Sequence, residues 1–314
     1  MPMTRVFQCV PNFSEGRDPS VIEAIAEAIR QTPGAKLIDY SWDADHNRCV
    51  MTILGSAVAI YQAVVAAAGV AVARIDLRDH VGAHPRAGAL DVVPVVPLIG
   101  ATKADAVALA DKIGQGLAYG LALPVYYYEW NARPGRKSAL PELRRGGFEA
   151  IRDTELMDER APDLGPTICH PTAGVTIVGA RGPLVAYNVN LGTPDLAVAQ
   201  AIAKRIRDER KRLPELEGVR ALGLYLASQG RAQVSLNLTR PEQTPLPAIF
   251  AFIRHEAAKY GITKLESEII GAIPAASLAG QTPDAINWHT FKPEQILETW
   301  LSDASSADGT DLRR

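Results

Sequence analysis

Two successive runs of the order β-α-β-β-α-β, in which short Val/Ile/Tyr-rich stretches alternate with helix-periodic ones, predict an α+β fold. The plan is two ferredoxin-like α/β sandwich subdomains facing each other across a cleft, with helices covering one face of each mostly antiparallel sheet. Size agrees, because 314 residues with 47% hydrophobic and 22% charged content suffice for two modest domains of the usual ~100–200 residues. The division expected is residues 1–182, residues 183–304 and a disordered tail at 305–314, where Ser, Asp and Gly accumulate from Ser302 onward.

The first half opens with an apolar run, residues 6–10, ended by Pro11, and a loop over residues 11–16. Asp18-Pro19 supplies a helix cap and a first-turn proline, and Val21, Ile22, Ile25, Ala26 and Ile29 then recur at helical spacing until Pro33-Gly34. Strands are expected at residues 36–41 and 48–54 around the polar loop 42–47, a helix at 57–73, a buried strand at 92–98, a helix at 103–121 and a strand at 125–130. Residues 133–176 combine Pro, Gly and mixed charge, and read as a crossing segment with one short helix at 141–145. The second half repeats the grammar: a strand at 184–191, a helix opened by Asp195, strands at 219–227 and 232–238 around a turn, a helix at 246–260 ended by Gly261, and a strand at 265–273.

Lys+Arg 33 against Asp+Glu 35 leaves a formal net charge of -2, so no global basic field exists to hold nucleic acid or an anionic membrane. An anionic ligand has to meet a local cluster instead. Cys9, Cys49 and Cys169 are odd in number and lack C-x-x-C spacing, which argues against a disulfide framework and a structural zinc site and for a reducing, cytoplasmic setting. The N-terminus lacks the pattern of a signal peptide. The most apolar stretch, residues 57–72, is interrupted by Gln62 and Gly69 and falls short of the ~20 residues of a membrane span, so none is expected.

The densest polar segment is residues 78–91, RDHVGAHPRAGALD. Imidazole titrates near ~6.5, so a histidine here can exchange protons with an amine at neutral pH. Pro85 restricts His84 to extended backbone, and Arg86 offers a planar fork to a carboxylate. The plain alternative is a solvated Gly-rich loop. A second cluster, Asp43-Ala44-Asp45-His46-Asn47-Arg48, lies between two strands; with His80 and Asp91 it suggests a metal centre, but no H-E-x-x-H or comparable spacing occurs and no metal is expected. A third, Asn12 to Arg17 with Ser14 and Glu15, heads the first helix and suits a carboxylate, unless it is simply a capped turn. Asn188 and Asn190 share one face of a strand, as do Gln233, Ser235 and Asn237. Amides on a sheet face are costly in a core and useful in a wet cleft; an exposed sheet surface is the competing reading. Cys169 and His170 are adjacent in the loop 165–172 and point opposite ways if extended, so they form no dyad without a turn.

The ordered set Val10-Pro11-Asn12-Phe13-Ser14-Glu15-Gly16, Asp45-His46-Asn47-Arg48, Gly82-Ala83-His84-Pro85-Arg86-Ala87-Gly88-Ala89-Leu90-Asp91 and Gln233-Val234-Ser235-Leu236-Asn237 resembles the formiminotransferase half of the formiminotransferase-cyclodeaminase family over residues 5–300. The cyclodeaminase half has no counterpart, so the likeness is to the stand-alone form. The resemblance implies transfer of a formimino group from N-formiminoglutamate to N5 of tetrahydrofolate, which is the cosubstrate, in a homodimer without a metal. It implies His84 as the acid/base residue; beside it the chemistry of the residues suggests Arg86 and Asp45 as catalytic candidates, with Arg86 or Arg48 holding a glutamate carboxylate. The residues expected to bind glutamate or folate are Asn12, Ser14, Glu15, His46, Asn47 and Arg48. To these the resemblance adds Gly165, Pro166, Thr167, Cys169, His170 and Gly174 of the segment matching the family's folate contact, and the alternation on the strands adds the amide face Asn188, Asn190, Gln233, Ser235 and Asn237. Where mammalian members carry an aspartate just after the second strand this chain has Ser41, with Asp43 and Asp45 nearby, which leaves the carboxylate partner open. Formyl transfer from 5-formyltetrahydrofolate to glutamate, or folate binding without turnover, would use the same residues.

Overall fold

The computed structural model describes residues 5–82 and 85–306, with side chains as far as residue 301. Two compact units divide the chain at Arg181 and Gly182.

In the first unit β1 (Phe7–Cys9) and β2 (Asn12–Phe13) occupy one strand position between β4 (Arg48–Gly55) and β5 (Leu90–Pro97). Pro11 has no N–H for the ladder and breaks the strand, but Asn12 and Phe13 rejoin it, so two residues of the stretch expected as loop are strand. β3 (Lys36–Asp43) pairs with β4 on the outer side. Asp18 accepts the Ser20 N–H at 2.8 Å and starts α1 (Pro19–Arg30), whose Val21, Ile22, Ile25, Ala26 and Ile29 are all buried. α2 (Ala57–Arg74) packs on α1 and on α3 (Lys103–Gly120), itself started by a Thr102–Asp105 capping box. α2 is long and apolar enough by composition to cross a membrane, contrary to the expectation from its sequence; here Ala59, Ile60, Ala63, Val64, Ala67, Ala68 and Ala71 serve the core.

Beyond β5 the sheet departs from the expected plan. β6 is Val125–Tyr127, shorter than expected because Glu129–Asn131 turns as a 3₁₀ segment, and the short α4 spans Leu140–Leu143. β7 (Thr176–Ala180), at the end of the stretch expected only to cross, inserts between β5 and β6 parallel to both. The order is therefore β3-β4-β1/β2-β5-β7-β6, a four-position antiparallel sheet extended by two parallel strands. Phe148, Ile151 and Leu156 from the crossing segment join the same core, so β4 and β5 are buried along nearly their whole length.

The second unit carries β8 (Val185–Leu191), α5 (Leu196–Glu209), β9 (Val219–Leu226), β10 (Arg231–Leu238), α6 (Leu246–Ala258) and β11 (Leu265–Ile270) in the antiparallel order β11-β8-β10-β9. That is the split β-α-β-β-α-β plan. Asp195 caps α5, and Gly223 on β9 is needed because a Cβ there would lie 2.3 Å from the Gln200 nitrogen of α5. α7 (Leu297–Ser306) runs into the stretch expected to be disordered; residues 307–314 lie outside the described residues.

Candidate active site

Three loops of the first unit meet around Asn47. This residue holds φ 48°, a conformation asparagine tolerates better than most, and is 6% exposed. Its Oδ1 accepts the Gly16 N–H at 2.9 Å, its Nδ2 donates to the Val81 carbonyl at 3.1 Å, and its own carbonyl accepts from His80 Nε2 at 2.9 Å. A Cβ on Gly16 would fall 2.2 Å from the Asp43 carbonyl, and one on Gly82 would fall 2.4 Å from that of His46. Both glycines are thus required for the close approach. The resulting crevice is lined by Asn12, Phe13, Ser14, His46, Asn47, Arg48, His80, Arg86 and Asp91.

The arginines here differ in what holds them. Arg86 is committed: Nε donates to His80 Nδ1 at 2.9 Å, Nη2 to the His80 carbonyl at 2.8 Å, and the fork clasps Glu149 at 2.6 and 2.8 Å. Glu149 thus occupies the fork that the sequence offers to a substrate carboxylate. Because Arg86 can only donate, His80 Nδ1 is the acceptor and its proton sits on Nε2. Burial and the neighbouring Arg86 cation hold His80 below the usual histidine range, so it is neutral and structural. Arg48 donates to Asn12 Oδ1, and Arg144 is paired with Asp91, whose other oxygen accepts the Ala87 N–H at 2.8 Å. Both arginines have an enclosed Nε with no partner. Burial, then the Arg144 cation, pull Arg48 down to about 10, while Asp91 opposes them. Two guanidinium groups thus share one buried carboxylate, a surplus of positive charge that an anionic substrate group would neutralise.

Other expected residues serve as fasteners. Ser14 Oγ donates to the Gly88 carbonyl at 2.7 Å, and Glu15 Oε1 accepts the Arg17 and Asp18 N–H groups, the capped-turn arrangement. His46 Nδ1 lies 3.0 Å from Asp43 Oδ1, which lowers the Asp43 carboxyl; Asp45 is not among the described residues that line the crevice. His84 lies outside the described residues. In the segment 165–174, Gly174 (φ 70°) sits against Ala87, where a Cβ would lie 2.2 Å from the carbonyl, and Leu77 N–H donates to Thr172. That end of the segment is thereby stitched to the polar loop. Gly165 also takes positive φ, Pro166 is half-buried and Thr167 exposed. Cys169 is buried with its thiol pushed up to about 11, and His170 Nδ1 accepts the Ala173 N–H at 3.0 Å, so neither acts as a nucleophile pair.

Residues 6–181 match the formiminotransferase domain, N-terminal subdomain, and residues 186–285 the formiminotransferase domain. The chain belongs to the formiminotransferase family. It is 39% identical over 300 residues to a glutamate formimidoyltransferase of Streptococcus pyogenes, covering 95% of this chain and 99% of that one. A glutamate formimidoyltransferase of Thermoplasma acidophilum is 35% identical over 303 residues, 96% of this chain and 99% of its own. The formimidoyltransferase-cyclodeaminase of Sus scrofa is 39% identical over 278 residues, where this chain spans 51% of its length.

In this member of the family the expected amides of the second unit form a cluster of their own. Gln233 Nε2 donates to Asn190 Oδ1 at 2.8 Å, and Asn188 Nδ2 donates to Glu268 Oε2 at 3.1 Å. Ser235 and Asn237 follow on the same face of β10, half-buried and exposed respectively. Sequence reading singled out neither Arg144, which pairs with Asp91 at the crevice, nor Glu268, which meets Asn188. The alternation L-E-S-E-I-I on β11 was the available signal for Glu268; Arg144 sat in a charged run with nothing to separate it from Arg145.

Proposed function

We propose that the chain is a glutamate formimidoyltransferase, moving the formimino group of N-formiminoglutamate to N5 of tetrahydrofolate. The observation that carries this is the near end-to-end match, at 39% identity, to a protein of that name. Geometry supports it through the positive surplus at Arg48 and Arg144, which suits a substrate carboxylate. N5 attacks the amidine carbon; the tetrahedral intermediate then expels the glutamate nitrogen once that nitrogen gains a proton. We assign the proton transfer from N5 to the leaving nitrogen to His84, the histidine to which the family resemblance points; His80 of the same loop has both ring nitrogens committed. The cleft between subdomains, the homodimer and the cytoplasmic setting belong to the same proposal.

A second reading of the proton carrier rests on the 3.0 Å contact between Asp43 and His46, in which the carboxylate would orient an imidazole that lines the crevice. Incubation with tetrahydrofolate and N-formiminoglutamate, following the folate absorbance and released glutamate, tests the function. Equal amounts of glutamate and 5-formiminotetrahydrofolate are expected; transfer only between 5-formyltetrahydrofolate and glutamate, or no transfer, would overturn it.

A further inference from the structure

Charged groups around the crevice of the first unit pair off in a crossed pattern. Residues 86–91 and residues 144–149 exchange two ion pairs of opposite sense: Arg86 of the polar loop holds Glu149 of the crossing segment, and Arg144 of that segment holds Asp91 of β5. Between the two pairs the Phe148 N–H donates to the Arg86 carbonyl at 3.1 Å, and the Phe148 side chain is buried in the core. Each pair of the exchange neutralises itself.

Arg48 stands outside that balance. Its guanidinium donates to Asn12 Oδ1, an uncharged oxygen turned toward it because Asn12 Nδ2 donates to the Val10 carbonyl at 2.7 Å. Asn12 thus holds Arg48 without cancelling its charge, and the Arg48 Nε is enclosed with no acceptor. Asp91 is the one carboxylate among the described residues that line the crevice, and Arg144 is not among them. The Asp91 oxygens are divided: Oδ1 accepts the buried Ala87 N–H at 2.8 Å and Oδ2 accepts from Arg144. Burial weakens the hold of Arg48 on its proton, the Arg144 cation adds to this, and Asp91 opposes both. Asp91 and Arg144 therefore act on Arg48 with opposite sign. A buried carboxylate that lost its arginine would turn to the nearest uncompensated cation, because an unpaired charge is costly away from water. Here that cation is Arg48.

We propose that Arg144 is a positioning residue: by engaging Asp91 it keeps that carboxylate from closing on Arg48, and so reserves Arg48 for a carboxylate of N-formiminoglutamate. This rests on the functional reading above, in which an amino-acid carboxylate is the anion to be held. Arg144 acts through Asp91 and not by touching the substrate. An asparagine at position 91 would still offer an oxygen to Ala87 but would have no charge with which to capture Arg48.

The test is steady-state kinetics with both substrates varied, on the wild-type chain, Arg144→Met and the double variant Arg144→Met/Asp91→Asn. Arg144→Met is expected to raise the N-formiminoglutamate KM at least ~10-fold, with the tetrahydrofolate KM within about threefold of the wild-type value. Adding Asp91→Asn should bring the raised KM back to within about threefold, since no carboxylate then competes for Arg48. A merely structural role for Arg144 predicts the reverse, a second substitution adding to the damage of the first. An unchanged N-formiminoglutamate KM in Arg144→Met, or no recovery in the double variant, overturns the assignment. If Arg144→Met does not fold, the double variant decides, because it leaves neither member of the pair as a lone buried charge. An N-formiminoglutamate KM within about threefold of wild type then supports the assignment, and a larger rise overturns it. Wild-type turnover in the same assay judges the functional reading separately: a wild type that turns over, beside an Arg144→Met with the same constants, defeats this inference alone.

Discussion

The two units share a four-position strand order, extended by β7 and β6 in the first, but expose opposite parts of it. In the first, β4 and β5 are buried nearly end to end, so polar chemistry is pushed to the loops at the strand ends, where Asn47 fastens three of them. In the second, β8 and β11 alternate between buried and half-buried positions, and polar groups stand on the sheet itself. The same fold thus offers two kinds of site: a crevice of arginines and histidines held by loops, and a flat face of amides and carboxylates held by a ladder. Charge follows the division, with a surplus of guanidinium in the first and of hydrogen-bond acceptors in the second.

Removing the proton carrier should break the loop site most. His84→Ala is expected to lower kcat by ~10²–10⁴-fold while leaving folate affinity unchanged, as measured by turnover and by folate titration. If His46→Ala gives the larger fall, the Asp43–His46 pair is the carrier. Arg48→Lys keeps the charge and loses the fork. It should raise the N-formiminoglutamate KM by ~10–100-fold, read from initial rates, because one enclosed guanidinium no longer meets a carboxylate squarely.

Much of this was legible in the sequence, and the reasons for the gaps are physical. Helix α1 announced itself through Asp18-Pro19 and its apolar spacing, and the amide face through alternation on β8 and β10. β7 did not, because five residues at the end of a Pro- and Gly-rich segment become a strand only by pairing with β6 and with β5, whose Val92 lies opposite Ile177. Arg144 was equally silent: its partner Asp91 is 53 residues away, and only that pairing and its burial distinguish it from Arg145. Arg86 looked available until Glu149 was seen to fill its fork. Loop sites depend on distant contacts, so composition points to them without assigning roles.

Smaller effects sharpen the contrast between fastened loops and a laddered face. Asn47→Ala leaves the buried Gly16 N–H without its acceptor and puts alanine at positive φ, so urea unfolding should show a loss of about 2–4 kcal/mol. His80 has a depressed folded-state value, so the unfolded chain binds its proton first as pH falls. Its contribution is complete above the unfolded value of ~6.5 and is lost as pH falls from there through the lower folded value, at no more than ~1.4 kcal/mol per pH unit. Urea midpoints of the wild type and of His80→Gln between pH 8 and pH 5 should converge on acidification.

The division of labour between crevice and sheet face is tested most directly by varying both substrates against Arg48→Lys and Gln233→Met in parallel. Arg48→Lys should move only the N-formiminoglutamate KM and Gln233→Met only the tetrahydrofolate KM, each by ~10-fold or more with the other constant within about twofold. Both constants moving together in either variant would contradict the account.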